Sequence, residues 1–288
     1  MSDLIIYDLN NFKTQENDIF IIGSFQSFHI GHYQLYKNIE NKQGRKIIVT
    51  FSDDHNYKYK HDVYMHDDAR YLTLSNLKID AIVELNFSNI KHLSGPEFLN
   101  KITQGHNVSV SVGADFRFGQ NAQWTSEDIV KILPTIDVSI AEIYKIANVK
   151  ISTKILREAL YGGRFQFINS VSPFNYLLLG RLEKKNFSMQ SNLIDFPSGL
   201  YLSILYFKDW GIQVILHKNK DGQISFKNIE QHNLYSIDRI IGDVIVEILQ
   251  ELRFINSDDD VSITKDDLKK AKKEFIKLAE SDIINKQI

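Results

Sequence analysis

The rhythm of hydrophobic positions changes once along the chain. From residue 18 to about residue 161, short apolar runs alternate with segments whose apolar residues recur every three or four positions. The runs at 19–22 (IFII), 46–51 (KIIVTF), 81–85 (AIVEL), 108–112 (VSVSV) and 136–146 (IDVSIAEIYKI) predict strands. The segments at 32–41, 67–77, 96–102 and 126–133 predict helices. Leu35 and Ile39 share a face of the first, Pro96 suits a first helical turn, and Ser126 followed by Asp128 suits an acidic start. Strands alternating with helices imply an α/β domain with a mostly parallel sheet covered on both faces, which binds ligands at the carboxyl ends of its strands.

Beyond about residue 173 the strands follow one another without helices, at 177–180, 199–207, 211–217 and 242–249. Asp209-Trp210-Gly211 and Lys220-Asp221-Gly222 are hairpin-turn candidates. This predicts a smaller antiparallel β-barrel. A C-terminal helix from about Lys265 closes it, with Thr264 as N-cap, Asp267 three residues on, and Leu268, Ala271, Phe275 and Leu278 as its apolar stripe. The expected domains are 1–165 and 173–288.

Composition narrows the function. A chain of 288 residues, 43% hydrophobic, can bury two cores. A net charge of −2 supplies no basic field, so a nucleic-acid partner is disfavoured. The absence of cysteine excludes disulfides, thiolate metal sites and cysteine nucleophiles. No apolar run spans a bilayer, and MSDLIIYDLNNF lacks the basic-then-apolar pattern of a secretion leader, so a cytoplasmic protein without a membrane partner is expected. Oligomeric state leaves no mark in the pattern.

Three stretches carry candidate chemistry. In the first, the strand at 19–22 runs through Gly23, Ser24 and Phe25 into His29-Ile30-Gly31-His32 and a helix. A helix start offers free backbone N–H groups and a positive dipole end, Gly31 permits close approach, and two imidazoles can donate to phosphoryl oxygens. The second is Val112 to Gly119, where Asp115, Phe116, Arg117 and Phe118 follow a strand directly. These suit a flat, partly charged ligand; equally, they suit a structural turn in which Arg117 pairs with Asp115 and the rings enter the core. The third is Ile151 to Leu160, closed by Gly162-Gly163. Ser152 and Thr153 at the helix start, with Arg157 a turn later, make a grip for phosphates, or else an ordinary capped surface helix.

Together these stretches resemble the prokaryotic FAD synthetases, in which an FMN adenylyltransferase module precedes a riboflavin kinase module. Gly23-Ser24-Phe25 and His29-Ile30-Gly31-His32 are similar to the family's G-x-F-D-G-x-H-x-G-H, departing at Gln26 and Ser27. Residues 112–119 are similar to V-G-x-D-F-R-F-G, and 151–160 to I-S-S-T-R-I-R-E-A-L, departing at Thr153, Lys154, Ile155 and Leu156. Thr50-Phe51 to His55 is similar to T-F-x-P-H-P without its prolines. The resemblance implies a Rossmann-like nucleotidyltransferase domain that transfers AMP from MgATP to FMN, giving FAD and pyrophosphate. It implies His29, His32 and Arg157 as catalytic residues, and Gly23, Ser24, Phe25, Gly31, Ser152 and Thr153 as ATP-binding. His55, Asp115, Phe116, Arg117 and Phe118 would bind flavin or adenine, and Mg²⁺ would travel with ATP rather than in a dedicated metal site.

The second half resembles the kinase module less. Phe196 to Tyr201 is similar to its P-x-G-V-Y turn, and Glu230-Gln231-His232 to its E-x-H. Its G-F-P-T-A-N motif survives only at Asn192, with Gln190 where a metal-binding threonine would stand, so riboflavin phosphorylation is not expected. Glu230 reads equally as a general base or as half of an exposed polar pair. Two other functions fit the same residues: a bifunctional kinase and adenylyltransferase that also accepts riboflavin, and an inactive flavin- or nucleotide-binding regulator. A third keeps the enzyme class but adenylylates another phosphorylated cofactor precursor.

Overall fold

A computed structural model describes residues 4–52, 62–183, 185–189, 192–230, 237–257 and 261–285. It divides into two compact units, Met1–Ile155 with Val171–Pro173, and Leu156–Ser170 with Phe174–Ile288.

The first unit runs β1 (Ile5–Asp8), β2 (Ile19–Ile22), α1 (Ile30–Lys37), β3 (Lys46–Phe51), α2 (Asp67–Leu74), β4 (Ala81–Leu85), α3 (Phe87–Ile90), α4 (Gly95–Thr103), β5 (Ser109–Gly113), β6 (Arg117–Phe118), β7 (Trp124–Thr125), α5 (Ser126–Ile132), β8 (Asp137–Ala141), β9 (Lys145–Ile146) and β10 (Val149–Lys150); α6 (Thr153–Tyr161) begins in it. Six strands form one parallel sheet in the order β1-β4-β3-β2-β5-β8. All four residues of β2 are buried, as a strand covered on both faces must be. Phe20, Ile22, Ile47, Val49, Val83 and Val110 form part of one core with Leu99 and Ile102 of α4. The Ser111 hydroxyl donates to the Leu35 carbonyl at 2.9 Å, tying α1 to β5. Helix starts are locally specified. Ser94 and Glu97 form a capping box before α4, and Thr125 and Asp128 form another before α5.

The second unit holds the rest of α6, then α7 (Phe165–Ser170), β11 (Tyr176–Glu183), β12 (Asn186–Ser188), β13 (Gly199–Phe207), β14 (Trp210–Lys218), β15 (Ile224–Asn228), β16 (Ile241–Phe254) and α8 (Lys265–Asn285). Its strands make a curled antiparallel sheet in the order β12-β11-β16-β13-β14-β15. Irregularities between Leu200 and Tyr201 and between Leu202 and Ser203 bend the β13–β16 pairing. The sheet curls far enough for Phe187 of β12 and Phe226 of β15, on opposite edges, to meet edge to face at 5.3 Å. Helix α8 starts in the expected capping box. The Thr264 N–H donates to Asp267 Oδ2 at 2.9 Å, and the Asp267 N–H to Thr264 Oγ1 at 3.1 Å. Its stripe of Leu268, Ala271, Phe275 and Leu278 packs on Leu200, Leu202 and Ile215.

The fold class is thus the expected one, with local differences. The apolar run at 136–146 is two strands, β8 and β9, rather than one. The first hairpin turns at Lys208-Asp209, since Phe207 already pairs with Trp210 and Lys208 takes the left-handed φ of 53°.

Candidate active site

β2 and β5 are neighbours in the sheet, and the chain proceeds from β2 to β3 on one side while β5 lies on the other. Strand order therefore reverses between them, which opens a crevice at their carboxyl ends. The loops leaving Ile22 and Gly113 line one cavity of about 1080 Å³, together with Ile151, Ser152, Thr153 and Lys154. Gly23, Ser24, Phe25, His29, Gly31, His32, Asp115, Phe116, Arg117 and Phe118 all line it. Arg157 lies four residues beyond Thr153 on α6, half-buried, in the part of the helix that belongs to the second unit. His55 lies outside the described residues.

The first loop is shaped by one aromatic ring. Phe25 is fully buried at a left-handed φ of 43°, a strained conformation for a bulky residue. Gly23 makes room for it, because a Cβ there would come within 2.7 Å of the Phe25 ring. Phe25 then meets His32 edge to face at 5.0 Å, and His32 stacks on His29 at 3.8 Å with 20° between the planes.

The start of α1 differs from the sequence expectation of free N–H groups. His29 is itself the N-cap, in extended backbone, and its Nδ1 accepts from the Gly31 and His32 N–H groups at 3.1 and 3.4 Å. The Ile30 N–H donates to the Val171 carbonyl at 2.9 Å, and the Tyr33 N–H to the His29 carbonyl at 3.0 Å. The first turn is occupied because the imidazole does the work usually done by Ser or Asp. Gly31 serves this arrangement, since a Cβ there would stand 3.0 Å from the His29 ring and 3.6 Å from Tyr144.

These bonds fix the imidazole protons. His29 Nδ1 is an acceptor, so its hydrogen sits on Nε2. His32 Nδ1 lies 2.8 Å from the Ser27 carbonyl and donates to it, leaving Nε2 bare in the neutral ring. Burial pushes His29 down to about 2, helped by the Lys150 charge and by repulsion from His32 wherever that ring is protonated. Burial also pushes His32 down to about 4, against the opposing pull of the Ser27 carbonyl and Asp115. Both rings are neutral at pH 7, and only His29 has a ring N–H left to donate. Ser27, one of the two departures from the family motif, is buried and joins its hydroxyl to that of Thr153 at 3.0 Å. It thereby ties the first stretch to the third.

In the second stretch Asp115 pairs with Lys150 rather than with Arg117. Burial raises the Asp115 carboxyl, but the hydrogen bond and charge of Lys150 outweigh it and hold the group below its usual range. Phe116 and Phe118 stack at 5.5 Å with 12° between planes. Phe118 is core, packed near Phe98 and Trp124, while Phe116 is half-buried above it. Gly119 has φ +71°, and a Cβ there would come 2.4 Å from Trp124. Lys150 was missed in the sequence; its only signal is its place directly before Ile151-Ser152-Thr153.

Among the described residues no group of three or more His, Asp or Glu could hold a metal ion, and no helix is long and apolar enough to cross a membrane. In the second unit, Asn192 is half-buried, and Glu230 is 62% exposed with its carboxylate 3.7 Å from the Lys272 amine. Gln190, Gln231 and His232 lie outside the described residues.

A parallel α/β unit with its cavity at the strand-order reversal has the architecture of a nucleotide-binding protein. The family model for FAD synthetase matches residues 11–155, just over half of the chain, and the chain belongs to the FAD synthetase family. A bifunctional riboflavin kinase/FMN adenylyltransferase from Listeria monocytogenes is 24% identical over 182 residues, which span 58% of this chain and 57% of that relative. A crystal structure of a protein described as a macrolide-efflux protein from Streptococcus pneumoniae matches with a TM-score of 0.76 over 97% of each chain at 16% identity. At that identity the likeness is one of fold.

Proposed function

We propose that the first unit is an FMN adenylyltransferase, converting MgATP and FMN to FAD and pyrophosphate. The observation that carries this reading is the stacked His29–His32 pair lining one cavity with Ser152, Thr153 and the Asp115–Phe118 loop, in a chain of the FAD synthetase family. An FMN phosphate oxygen attacks the α-phosphorus of ATP. The new P–O bond forms as the bond to the β-phosphate oxygen breaks, and its electron pair leaves with pyrophosphate. No protein nucleophile is required; the protein supplies position and charge complementarity.

In this reading His29 Nε2–H donates to a phosphoryl oxygen where charge builds. His32 buttresses His29 while neutral and becomes a second donor once an anionic ligand raises its proton affinity. The Ser152 and Thr153 hydroxyls, which line the cavity, bind the polyphosphate. Phe116 offers the ring face for flavin or adenine. Magnesium enters with the triphosphate, as part of the substrate. The cavity lies just above the usual 300–1,000 Å³ range for ligand sites, large enough for two nucleotide-sized substrates. His29→Ala and His32→Ala should each cut FAD formation by about a hundredfold or more, as loss of a transition-state donor does. Turnover unchanged in both would refute the assignment.

We infer further that the second unit does not phosphorylate riboflavin. Glu230, which the resemblance offers as general base, is solvated and faces Lys272.

A further inference from the structure

We propose that Lys150 is a substrate-contacting residue of this site, held in reserve by Asp115 and transferred to the polyphosphate when MgATP enters. The inference rests on reading the cavity as the adenylyl-transfer site and adds to it a cation that the sequence motifs leave out. Lys150 ends β10, the second strand of a short hairpin whose turn residues Ala147 and Asn148 both take left-handed φ. The next residue, Ile151, is buried and donates its N–H to the Tyr144 carbonyl at 3.1 Å, which anchors the base of the hairpin. Ser152 and Thr153 follow at once, and Thr153 is bonded through Ser27 to the loop that carries His29. Lys150 thus stands where the first and third stretches join. Its charge is felt by both imidazoles, while neither of them is charged at neutral pH.

The cavity wall carries four cations, Lys91, Arg117, Lys150 and Lys154, against two carboxylates, Asp115 and Glu142. Lys150 is hydrogen-bonded to Asp115, a carboxylate of the same wall. The pair is open to solvent, with Lys150 44% and Asp115 56% exposed, so it is weakly held. A triphosphate presents several negative oxygens where Asp115 presents one charge. A flexible ammonium with three donors can swing from one to the other without backbone movement. The paired state keeps the cavity ready without leaving an uncompensated cation beside two neutral imidazoles.

The test compares wild type, K150Q, K150R and D115N, all full length. MgATP affinity is measured by calorimetry, FAD formation from FMN by product analysis. Competition predicts opposite signs: K150Q weakens MgATP binding about tenfold or more, as loss of a charge-assisted contact does, K150R restores most of it, and D115N binds MgATP as tightly as wild type or tighter. A purely structural ion pair would weaken binding alike in K150Q and D115N, and that result overturns the proposal, as does K150Q with wild-type affinity and kcat/KM. If wild type binds MgATP without making FAD, the adenylyl-transfer reading fails alone and the affinities of K150Q and D115N still decide the role of Lys150. If wild type neither binds MgATP nor makes FAD, both fall.

Discussion

Single residues decide the protonation of the site. A histidine held in the fold as a neutral ring resists acid, so His29 and His32 link stability to pH. Their folded values of about 2 and about 4 lie below the ordinary 6.5, so the unfolded chain binds more protons than the folded one at mildly acidic pH. Their stabilising contribution is complete above pH 6.5 and is lost as pH falls, for His32 across the window from 6.5 down to about 4. Each such group adds a slope of up to about 1.4 kcal/mol per pH unit in its window. Urea unfolding of wild type should therefore weaken more steeply between pH 6.5 and 4.5 than that of His32→Gln. Equal slopes would show that His32 is not held neutral in the fold. The same linkage applies to ligands. An anionic polyphosphate favours the charged imidazole, so MgATP binding should take up protons, seen as a buffer-dependent calorimetric heat that shrinks in His32→Gln. Sequence alone offered two donors here. The hydrogen bonds leave one, because whether a ring nitrogen is spent on its own helix depends on a backbone turn that no residue type announces.

At the scale of elements, the loop between β5 and α5 is set by Trp124 lying against two glycines. A Cβ at Gly119 would overlap its ring, and the φ of +71° adds backbone strain, so Gly119→Ala should cost about 2 kcal/mol or more. Thr264→Ala removes one half of the α8 capping box and should cost about 1 kcal/mol. Urea midpoints of both variants check these values, and an unshifted midpoint in Gly119→Ala would show that the loop relaxes around Trp124. Elements with strong local signals were legible in the sequence: β2, β3, β4 and β13 have the predicted limits, and α8 begins where its N-cap indicates. Those that depend on neighbours were not. β1 is an edge strand with Ile5 and Ile6 exposed, recruited by β4. β12 and β15 are short and polar-rich, and are defined by hydrogen bonds to β11 and β14. The β9–β10 turn uses Ala147 and Asn148 at positive φ, where a glycine would have marked it. Lys150 escaped notice for a related reason: its partner Asp115 is 35 residues away in sequence and adjacent only in the fold.

At the scale of the whole molecule, a parallel α/β unit and a curled antiparallel unit share one chain, and both are marked by the single change of hydrophobic rhythm. The second is well packed: Phe165 is fully buried and meets Tyr176, Phe196 and Tyr201 edge to face at 5.2–5.4 Å. Phe165→Ala should cost about 3–5 kcal/mol, measured by urea unfolding. The second unit is thus tightly packed although its sequence resemblance to a kinase module is weak, with Glu230 solvated. The measurement that bears most directly on the account is product analysis by HPLC, with the purified protein and MgATP given FMN in one tube and riboflavin in the other. The account predicts FAD and pyrophosphate from FMN, and neither FMN nor FAD from riboflavin. FMN or FAD formed from riboflavin would contradict the inference about the second unit. No FAD from FMN, with flavin still bound as judged by fluorescence quenching, would contradict the central claim and leave a binding protein in its place.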